Sequence, residues 1–426
     1  MKKALIITYY WPPAGGPGVQ RWLKFVKYLR DFDVEPLVYV PENPEYPITD
    51  TTFENEIPDG IKIYKQKIFE PYQLASIFSK KKTKRISSGI IQTTDQSLLE
   101  KVFLWIRGNL FIPDARKFWV KPSVKYLQQI IEKEGIQTII TTGPPHSVHL
   151  IGMELRAKNT IQWIADFRDP WTSIGYHKKL KLTKSSQRKH LHLESMVLNK
   201  ADSIIVTSKI TKKEFSKITN KPITVITNGF DRAKGSSDKL DDTFTIAHIG
   251  SLLTGRNPIV LWKALKELTE ENADFKKELK LELIGVVSRD VLESIQNHGL
   301  QPYVHLVGYV SHKKAIERQQ SSQVLLLVEI DSEETKGIIP GKFFEYINAE
   351  RPILGVGPQG WEVAQMISET NTGSAFTYMD GKAIKEQLLD WFTAYQKKEL
   401  RVKSLHIDQY SRRELTGKLA QVITWE

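Results

Sequence analysis

The chain has 426 residues, no cysteine, 40% hydrophobic residues and a formal net charge of +12. Single cores stop growing near roughly 250 to 300 residues, so this length predicts two domains rather than one. The composition excludes a disordered chain, a disulfide framework, thiolate catalysis and cysteine-ligated zinc, and no stretch approaches the ~18 apolar residues of a membrane span.

The charge is unevenly distributed along the chain. Residues 1–232 contain 37 Lys and Arg against 22 Asp and Glu, a formal charge of +15, whereas the remainder contains 24 against 27, a charge of −3. A basic half predicts an anionic partner such as phosphate, acidic lipid or nucleic acid, because attraction between opposite charges acts at long range.

Strand-like apolar runs alternate with amphipathic helices through the first half. The run VQRWLKFVKYLRD places Trp22, Phe25, Val26 and Leu29 on one helical face. Apolar strands joined by helices predict a parallel sheet covered on both faces. The predicted strands of this half are residues 3–10, 34–40, 61–66, 138–143, 161–167, 202–208 and 223–229.

The same alternation restarts in the second half, after a polar stretch rich in glycine and serine at residues 231–242. We therefore predict an α/β fold with two doubly wound parallel-sheet domains, residues 1–232 and 243–405, facing across a cleft. Residues 406–426 are expected to form a helix that crosses back to the first domain. The predicted strands of the second domain are residues 244–250, 279–285, 303–310, 324–330 and 351–357.

One long excursion, residues 67–120, fits neither sheet. It holds five basic residues between Lys80 and Arg85, followed by an apolar and aromatic stretch. It is interpreted either as a solvated loop with a helix packed on its own domain, or as a membrane surface, where each Lys or Arg would contribute ~1 kcal/mol. The second interpretation inserts four aromatic residues into the bilayer: Phe103, Trp105, Phe111 and Trp119.

In open parallel sheets, ligands bind beyond the carboxyl ends of the strands, so the loops there are candidate sites. After the first strand, WPPAGGPGVQR contains Gly15 and Gly16, which would let backbone amides approach an anion, although glycine-rich turns are common. In the second domain, GSLLTGRNP presents Arg256 either to a diphosphate or simply to solvent beside a turn.

The segment GIIPGKFFEYINAERPILG predicts a loop, a short helix and a buried strand. Pro340 suits the start of the helix, and Lys342 then lies in the first turn, where a cation opposes the helix dipole. A bound polyphosphate would explain that placement. Glu345, about one turn further, could accept hydrogen bonds from a ribose diol; the alternative is a solvated Lys342 and an ordinary surface ion pair for Glu345.

Several motifs together resemble glycosyltransferase family 4, which has the GT-B fold. They are KFFEY before RPILG, VITNG closing the first domain, and the Gly-Gly loop after the first strand. ADFRDPW and TTGPPH are similar to a bacterial branch of the family that builds polysaccharides. The resemblance covers essentially the whole chain and implies sugar transfer from a nucleotide donor with retention of configuration and without a metal.

The resemblance also implies roles for residues of this chain. Glu345 would bind the donor ribose, Lys342 and Arg256 the diphosphate, and His146 would stand near the reacting centre. The acceptor would be bound by Arg21 and Arg168. The residues assigned to the donor are Gly15, Gly16, Arg256, Gly308, Tyr309, Val310, Pro340, Lys342 and Glu345.

Two departures from the family pattern leave the donor sugar open. The family's paired glutamates are eight positions apart, but Gly337 stands eight before Glu345, so contacts to the sugar would come from backbone or from Glu333 or Glu334. Ser251 follows Gly250 where many members have arginine. Arg256 and Lys342 would then share the phosphate between them.

The segment DFRDPW follows a strand and is expected at the same cleft. Asp166 or Asp169 could take the acceptor's proton and Arg168 could bind an acceptor phosphate, unless Arg168 and Asp169 form a structural ion pair. In retaining enzymes of this type the donor phosphate itself is thought to accept the proton, so no protein base is required. The triplet Asp31-Phe32-Asp33 is interpreted as a turn rather than a metal site.

The leading hypothesis is therefore a retaining glycosyltransferase that uses a UDP- or GDP-sugar and a cell-surface polysaccharide or polyprenyl-diphosphate-linked glycan as acceptor. It would be cytoplasmic, at the inner face of the membrane, with no cofactor beyond the donor. Two alternatives are another GT-B enzyme, such as a sugar-nucleotide epimerase, and a non-enzymatic protein that binds anionic surfaces. The latter predicts binding that depends steeply on salt and does not need Glu345.

Overall fold

The computed structural model describes residues 1–70, 98–178, 180–232 and 239–424. The chain divides into two compact units, Met1–Thr227 with Arg412–Glu426, and Asn228–Ser411. The basic run between Lys80 and Arg85 lies outside the described residues. None of the described helices is both long and apolar enough to cross a bilayer.

The first unit is built on a parallel sheet of seven strands, in the order β3-β2-β1-β4-β5-β6-β7. All seven predicted strands are present, although the last two are shorter than predicted. The strands are β1 Lys2–Thr8, β2 Val34–Pro41, β3 Lys62–Gln66, β4 Thr138–Gly143, β5 Gln162–Phe167, β6 Ser203–Val206 and β7 Ile223–Val225.

Two apolar cores lie on opposite faces of this sheet because successive strand residues point to opposite sides. Along β1, Leu5 and Ile7 enter one core, whereas Ala4 and Ile6 enter the other. The covering helices are α1 Pro17–Leu29, α2 Leu98–Leu110, α3 Val120–Glu134, α4 Ser147–Lys158, α5 Gly175–Lys178, α6 Lys184–Lys200, α7 Lys209–Phe215 and α15 Arg412–Thr424.

Helix α1 buries the four residues predicted for its apolar face, Trp22, Phe25, Val26 and Leu29. The C-terminal helix α15 joins the same core through Leu415 and Leu419, among others. The triplet after α1 is a turn, as predicted, since Asp33 ends a short 3-10 helix in the left-handed region with φ 58°.

The second unit contains a parallel sheet of six strands, in the order β10-β9-β8-β11-β12-β13. Five were predicted, and the sixth, β13, was missed. The strands are β8 Phe244–Ile249, β9 Leu279–Ile284, β10 Val304–Gly308, β11 Val324–Val328, β12 Ile353–Gly357 and β13 Gly373–Thr377. The helices are α8 Ile259–Glu271, α9 Ala273–Glu278, α10 Arg289–Asn297, α11 His312–Ser321, α12 Gly341–Asn348, α13 Glu362–Thr370 and α14 Gly381–Gln396.

Within the described part of residues 67–120, the aromatic residues predicted to insert into a membrane differ in burial. Trp119 is buried in the sheet's core, where it stacks on Tyr39 with ring centroids 5.2 Å apart, so its predicted insertion into a membrane is wrong. Trp105 is 43% exposed on α2, and Phe111 is half-buried. The side chain of Phe103 lies outside the described part of the structure.

Candidate functional site

Each unit has one place where the order of its strands reverses, and both places lie at the carboxyl edge of a sheet. In the first unit this is between β1 and β4, and in the second between β8 and β11. Neighbouring loops diverge there to opposite faces of the sheet, which opens a crevice that binds ligands in folds of this kind. The predicted site residues are found in the loops around these two points.

In the second unit, helix α12 begins directly after Pro340 and carries Lys342 in its first turn, as predicted. Its buried side chains anchor the helix, and the Tyr346 hydroxyl accepts a hydrogen bond of 2.9 Å from the Ile249 amide at the end of β8. Lys342 and Glu345 are spaced by three residues on the less buried face. The side chains anchoring the helix are Phe343, Phe344, Tyr346 and Ile347.

The Lys342 ammonium lies against the loop that follows β8. Its Nζ is 3.3 Å from Nε2 of His248, and a Cβ placed on Gly250 would come within 2.8 Å of the same Nζ. Gly250 also has φ 118°, a conformation that favours glycine. Burial, and then the charge of Arg256, lower the pKa of Lys342 to about 8. Keeping Lys342 charged therefore costs free energy, and a bound anion would lower that cost.

Arg256 is held by a carboxylate instead. Its guanidinium donates to Glu329 Oε1 at 2.8 and 3.2 Å, and Glu329 is fully buried at the end of β11. The same oxygen accepts a hydrogen bond from the Ile330 amide at 2.9 Å. The two cations predicted to share the diphosphate thus differ, because the charge of Arg256 is matched and that of Lys342 has a neutral partner.

Glu345 is oriented by two side chains of helix α11. His312 Nε2 lies 3.1 Å from Oε1, and the Gln319 amide donates to Oε2 at 2.8 Å. The Glu345 carboxylate is half-exposed, and these two contacts fix its orientation. It can therefore still accept hydrogen bonds from a ligand. A ribose diol bound here would share these oxygens or displace His312.

A glycine stands at the carboxyl end of each of three adjacent strands: Gly250 after β8, Gly285 after β9 and Gly308 at the end of β10. The Gly250 amide donates to Ile284 O at 2.8 Å, and the Gly285 amide to Gly308 O at 2.7 Å. All three glycines have positive φ, and a Cβ on Gly285 would lie 2.7 Å from Gly250 O. Glycine backbone therefore lies next to Lys342 at Gly250 and continues from there to Gly285 and Gly308.

The loops after β10 and β11 carry the remaining residues of this unit predicted to bind the donor, and few contacts fix their side chains. Tyr309 is 93% exposed and Val310 is half-buried, so neither is fixed by packing in a base-binding position. Glu333 is exposed and pairs with Lys336 at 2.6 Å. Gly337 lies in the loop between them and α12, so sugar contacts from this loop stay a prediction.

In the first unit, Arg21 and Asp166 form a buried ion pair of 3.0 Å. Asp166 also accepts hydrogen bonds of 2.8 Å from Trp22 and from Thr142, and Arg21 donates to the carbonyl oxygens of Ile226 and Thr227. A base or an acceptor-binding group must reach its substrate. This environment therefore argues against the predicted roles of both residues and gives them a structural one.

Arg168 and Asp169 lie nearer the surface at the end of β5. The Arg168 guanidinium donates to Pro144 O and, at 3.2 Å, to Gly143 O, and it occupies the space that a Cβ on Gly18 would fill. It therefore joins the Gly-rich loop to the loop after β4 instead of pairing directly with Asp169. Burial raises the pKa of Asp169, against the lowering effect of Arg168. Asp169 is half-buried whereas Asp166 is fully buried, so Asp169 remains a candidate base.

His146 directly precedes helix α4 and stacks on Trp171, with ring centroids 4.9 Å apart and planes 2° apart. Burial, followed by the nearby His149 and Arg168, holds its pKa well below the usual range, so the ring is neutral. Within the described residues neither ring nitrogen has a hydrogen-bond partner. A buried polar ring without partners is consistent with a binding role.

The Gly-rich loop is fixed on one side and open on the other. The Gly15 amide donates to Ile48 O at 3.0 Å, and a Cβ on Gly15 would lie 2.9 Å from Ile48 Cγ2. Gly16 has φ 102°, and within the described chain only its own atoms and those of its two chain neighbours lie within 4 Å of its ideal Cβ position. The open side of this loop leads into the first turn of α1.

Four residues that orient Lys342, Arg256 or Glu345 were not named from the sequence. His248 and Glu329 had a visible signal, since each is a titratable residue near the carboxyl end of an otherwise apolar strand. His312 and Gln319 had none, because they lie on a separate helix and reach Glu345 only in the folded chain.

Comparison with solved structures shows what this fold is similar to. Alr3699/HepE of Anabaena, solved in complex with UDP-glucose, superposes with a TM-score of 0.61 at 14% identity, covering 100% of each chain. A glycosyltransferase of Rickettsia africae gives 0.60 at 13%, covering 100% of this chain and 99% of the other. A Listeria monocytogenes protein assigned as a UDP-N-acetylglucosamine 2-epimerase gives 0.55 at 12%, covering 99% and 96%.

No protein family model matches the chain. No curated protein matches its sequence either. Together with the two parallel sheets, the structural likeness shows the GT-B fold and confirms the predicted fold class.

Proposed function

We propose that this protein is a glycosyltransferase of the family 4 type, which takes a sugar from a UDP- or GDP-linked donor with retention of configuration. The observation that carries the proposal is helix α12, which presents Lys342 and Glu345 beside the backbone surface of Gly250, Gly285 and Gly308. A cation, a fixed carboxylate and exposed backbone are the groups that a diphosphate, a ribose and a base require.

In this proposal the second unit binds the nucleotide. Lys342 and the first amides of α12 bind the diphosphate, since the helix N-terminus attracts anions. Arg256 adds a second positive charge, although it remains shared with Glu329. Glu345 accepts hydrogen bonds from the ribose hydroxyls. Tyr309 and Val310 lie in the loop after β10, which would face the nucleobase.

The first unit would bind the acceptor, and the neutral His146 at the start of helix α4 would belong to that surface. Asp169 and Arg168, with Gly15 and Gly16, line this surface. In the transfer, the acceptor oxygen bonds to the anomeric carbon while the bond from that carbon to the diphosphate breaks. The nucleoside diphosphate leaves with the electron pair. The acceptor's hydroxyl proton passes to a phosphate oxygen of the leaving group, or to Asp169.

The acceptor class we propose is a cell-surface polysaccharide precursor or a polyprenyl-diphosphate-linked glycan. The basic first half of the sequence supports it, with a charge of +15 over residues 1–232. So do four exposed apolar side chains, which are Val102, Trp105 and Leu110 on α2 and Phe118 further along the chain, and which we propose act as one face. A face of this kind suits the interfacial region of an anionic cytoplasmic membrane, to which we propose the protein binds peripherally.

The proposal is tested by thermal unfolding in the presence of UDP, GDP and their sugar conjugates. A ligand at 100 times its Kd stabilises the folded state by ~2.7 kcal/mol, so the correct nucleotide raises Tm measurably. The shift should disappear in Glu345→Gln. It should persist in the matched control Glu350→Gln, an exposed carboxylate just beyond the same helix. If no UDP or GDP compound changes Tm, the proposal is wrong.

The epimerase alternative is kept because one structure of similar fold is assigned that activity. Incubation of the protein with a UDP-sugar and no acceptor separates the two. An epimerase converts the sugar nucleotide into its epimer, whereas a transferase leaves it unchanged or slowly hydrolyses it. Release of UDP that depends on an added glycan acceptor supports transfer.

A further inference from the structure

We infer that His248 is a positioning residue for the donor diphosphate, because its neutral imidazole holds the Lys342 ammonium at the tip of α12 without cancelling its charge. This inference rests on the proposed nucleotide site and adds a residue to it. His248 is the penultimate residue of β8 and is fully buried.

The contact with Leu326 sets the tautomer of the ring, which also has the backbone of Ser251 as a neighbour. Nδ1 lies 3.0 Å from Leu326 O on the neighbouring strand β11, and a carbonyl oxygen can only accept, so Nδ1 carries the hydrogen. In the neutral ring Nε2 is then an acceptor, and it faces Lys342 Nζ at 3.3 Å. The ring thereby connects the two central strands to the cation, at the point where the strand order reverses.

A neutral partner has a consequence that a carboxylate would not have. The charged groups that face Lys342 are Arg256 after β8, Glu329 at the end of β11, and Glu345 on its own helix. Arg256 is bound to Glu329, so the charge of Lys342 is the one not matched by a direct ion pair. His248 can hold the ammonium in place and still leave that charge for a phosphate, whereas an aspartate would neutralise it.

The geometry also restricts where the ammonium can go. Gly250 leaves the space that the Nζ and Cε atoms of Lys342 occupy, since a Cβ there would lie 2.8 and 3.2 Å from them. With Gly250 on one side and His248 on the other, the lysine has a defined position beside the first amides of α12. Preorganised cations bind phosphate better than mobile ones, because less side-chain entropy is lost on binding.

The test compares two polar substitutions that each keep one of the two contacts. His248→Asn can still donate to Leu326 O but is too short to reach Lys342. His248→Gln has an oxygen near the Nε2 position and can still accept from Lys342. Binding of UDP, GDP, uridine and guanosine is measured by calorimetry for the wild type and both variants. A hydrogen bond to a charged group corresponds to roughly a tenfold change in affinity or more.

We expect His248→Asn to weaken binding of the nucleoside diphosphate at least tenfold while nucleoside affinity changes less than twofold, with His248→Gln close to the wild type. Thr245→Val is the matched control, since Thr245 is buried at the other end of the same strand. It should affect stability only. Comparable losses for Asn and Gln, no loss for Asn, or an equal loss of nucleoside binding would overturn the inference.

The pH dependence gives a second readout. Because Lys342 has its pKa lowered to about 8, a diphosphate that restores its charge takes up a proton above that pH. Wild-type affinity for UDP or GDP should fall as pH rises from about 8, and uridine affinity should not. A wild type that binds neither nucleotide overturns the proposed function itself. A wild type that binds with no such pH dependence overturns only the role of this lysine and its histidine.

Discussion

Each unit has a charged cluster near the carboxyl edge of its sheet, and the two clusters differ in how their charges are paired. In the first unit, Arg21 and Asp166 are both buried and cancel each other's charge, with every oxygen of the carboxylate engaged. In the second, Lys342 meets the uncharged ring of His248 and stays half-buried. The partner therefore decides whether a charge at the edge of such a sheet serves the fold or a ligand.

Arg256 lies between these two cases. It is bound to the buried Glu329, like Arg21 to Asp166, but its own side chain is 29% exposed and borders the second-unit site. It can contribute to the field at a phosphate while its main contact is structural. The predictions that follow separate charges that hold the fold from charges that bind a ligand.

The largest effect is expected from Asp166→Ala. Removing one partner of a buried ion pair leaves the other charge unpaired, so the free energy of unfolding should fall by about 3 to 5 kcal/mol in urea denaturation. Asp169→Ala, three residues away, is the control and should change it by less than about 1 kcal/mol, because Asp169 accepts no comparable set of hydrogen bonds. Equal stability of the two variants would contradict the structural assignment of Asp166.

Lys342→Met should have the next largest effect, and on binding rather than on stability. Loss of a charge-assisted contact should weaken UDP or GDP binding about tenfold to a hundredfold, measured by calorimetry. Stability should be unchanged or slightly higher, since a desolvated charge is removed.

Arg256→Met should affect stability more than nucleotide binding. It leaves Glu329 buried without its partner, so the free energy of unfolding should fall by about 1 to 3 kcal/mol.

A smaller effect is expected from pH. Burial lowers the pKa of His149 to about 3 and that of His177 to about 4. Below their ordinary pKa of about 6.5 the unfolded chain takes up protons that the folded chain does not, so stability falls as pH falls from 6.5 towards 4. The slope is at most about 1.4 kcal/mol per pH unit for each histidine. The Tm of the wild type should fall between pH 7.5 and 5, and the Tm of His177→Gln should fall less steeply. Identical pH profiles would refute the lowered pKa of His177.

The smallest effect is expected at the exposed apolar face. Trp105→Ser and Phe118→Ser should each reduce binding to vesicles of anionic lipid several-fold, measured by co-sedimentation, without changing Tm. Trp119→Ala should instead lower Tm because that ring packs in the core. Vesicle binding that is insensitive to Trp105 and Phe118 would remove this face as the membrane contact.

Much of the fold could be predicted because its apolar pattern is local. Twelve of the strands were recognisable as apolar runs between amphipathic helices. β13 was missed, since GSAFT is short, half-exposed and low in large apolar residues, and it becomes a strand by pairing with β12. The register of β13 is set by its pairing with β12, and the sequence of β13 alone does not reveal that pairing.

The candidate site divides in the same way. The positions of Lys342 and Glu345 on a short helix could be predicted from the sequence, and the conflict between a cation in the first turn and the helix dipole is the reason to propose a ligand there. The burial of Arg21 and Asp166 could not be predicted from the sequence, since it depends on hydrogen bonds with Trp22, Thr142 and residues 226–227 in the folded chain. The sequence by itself determined which residues reach the edges of the two sheets. Only the tertiary structure decided which of their charges are desolvated and paired, because desolvation is a property of everything packed around a group.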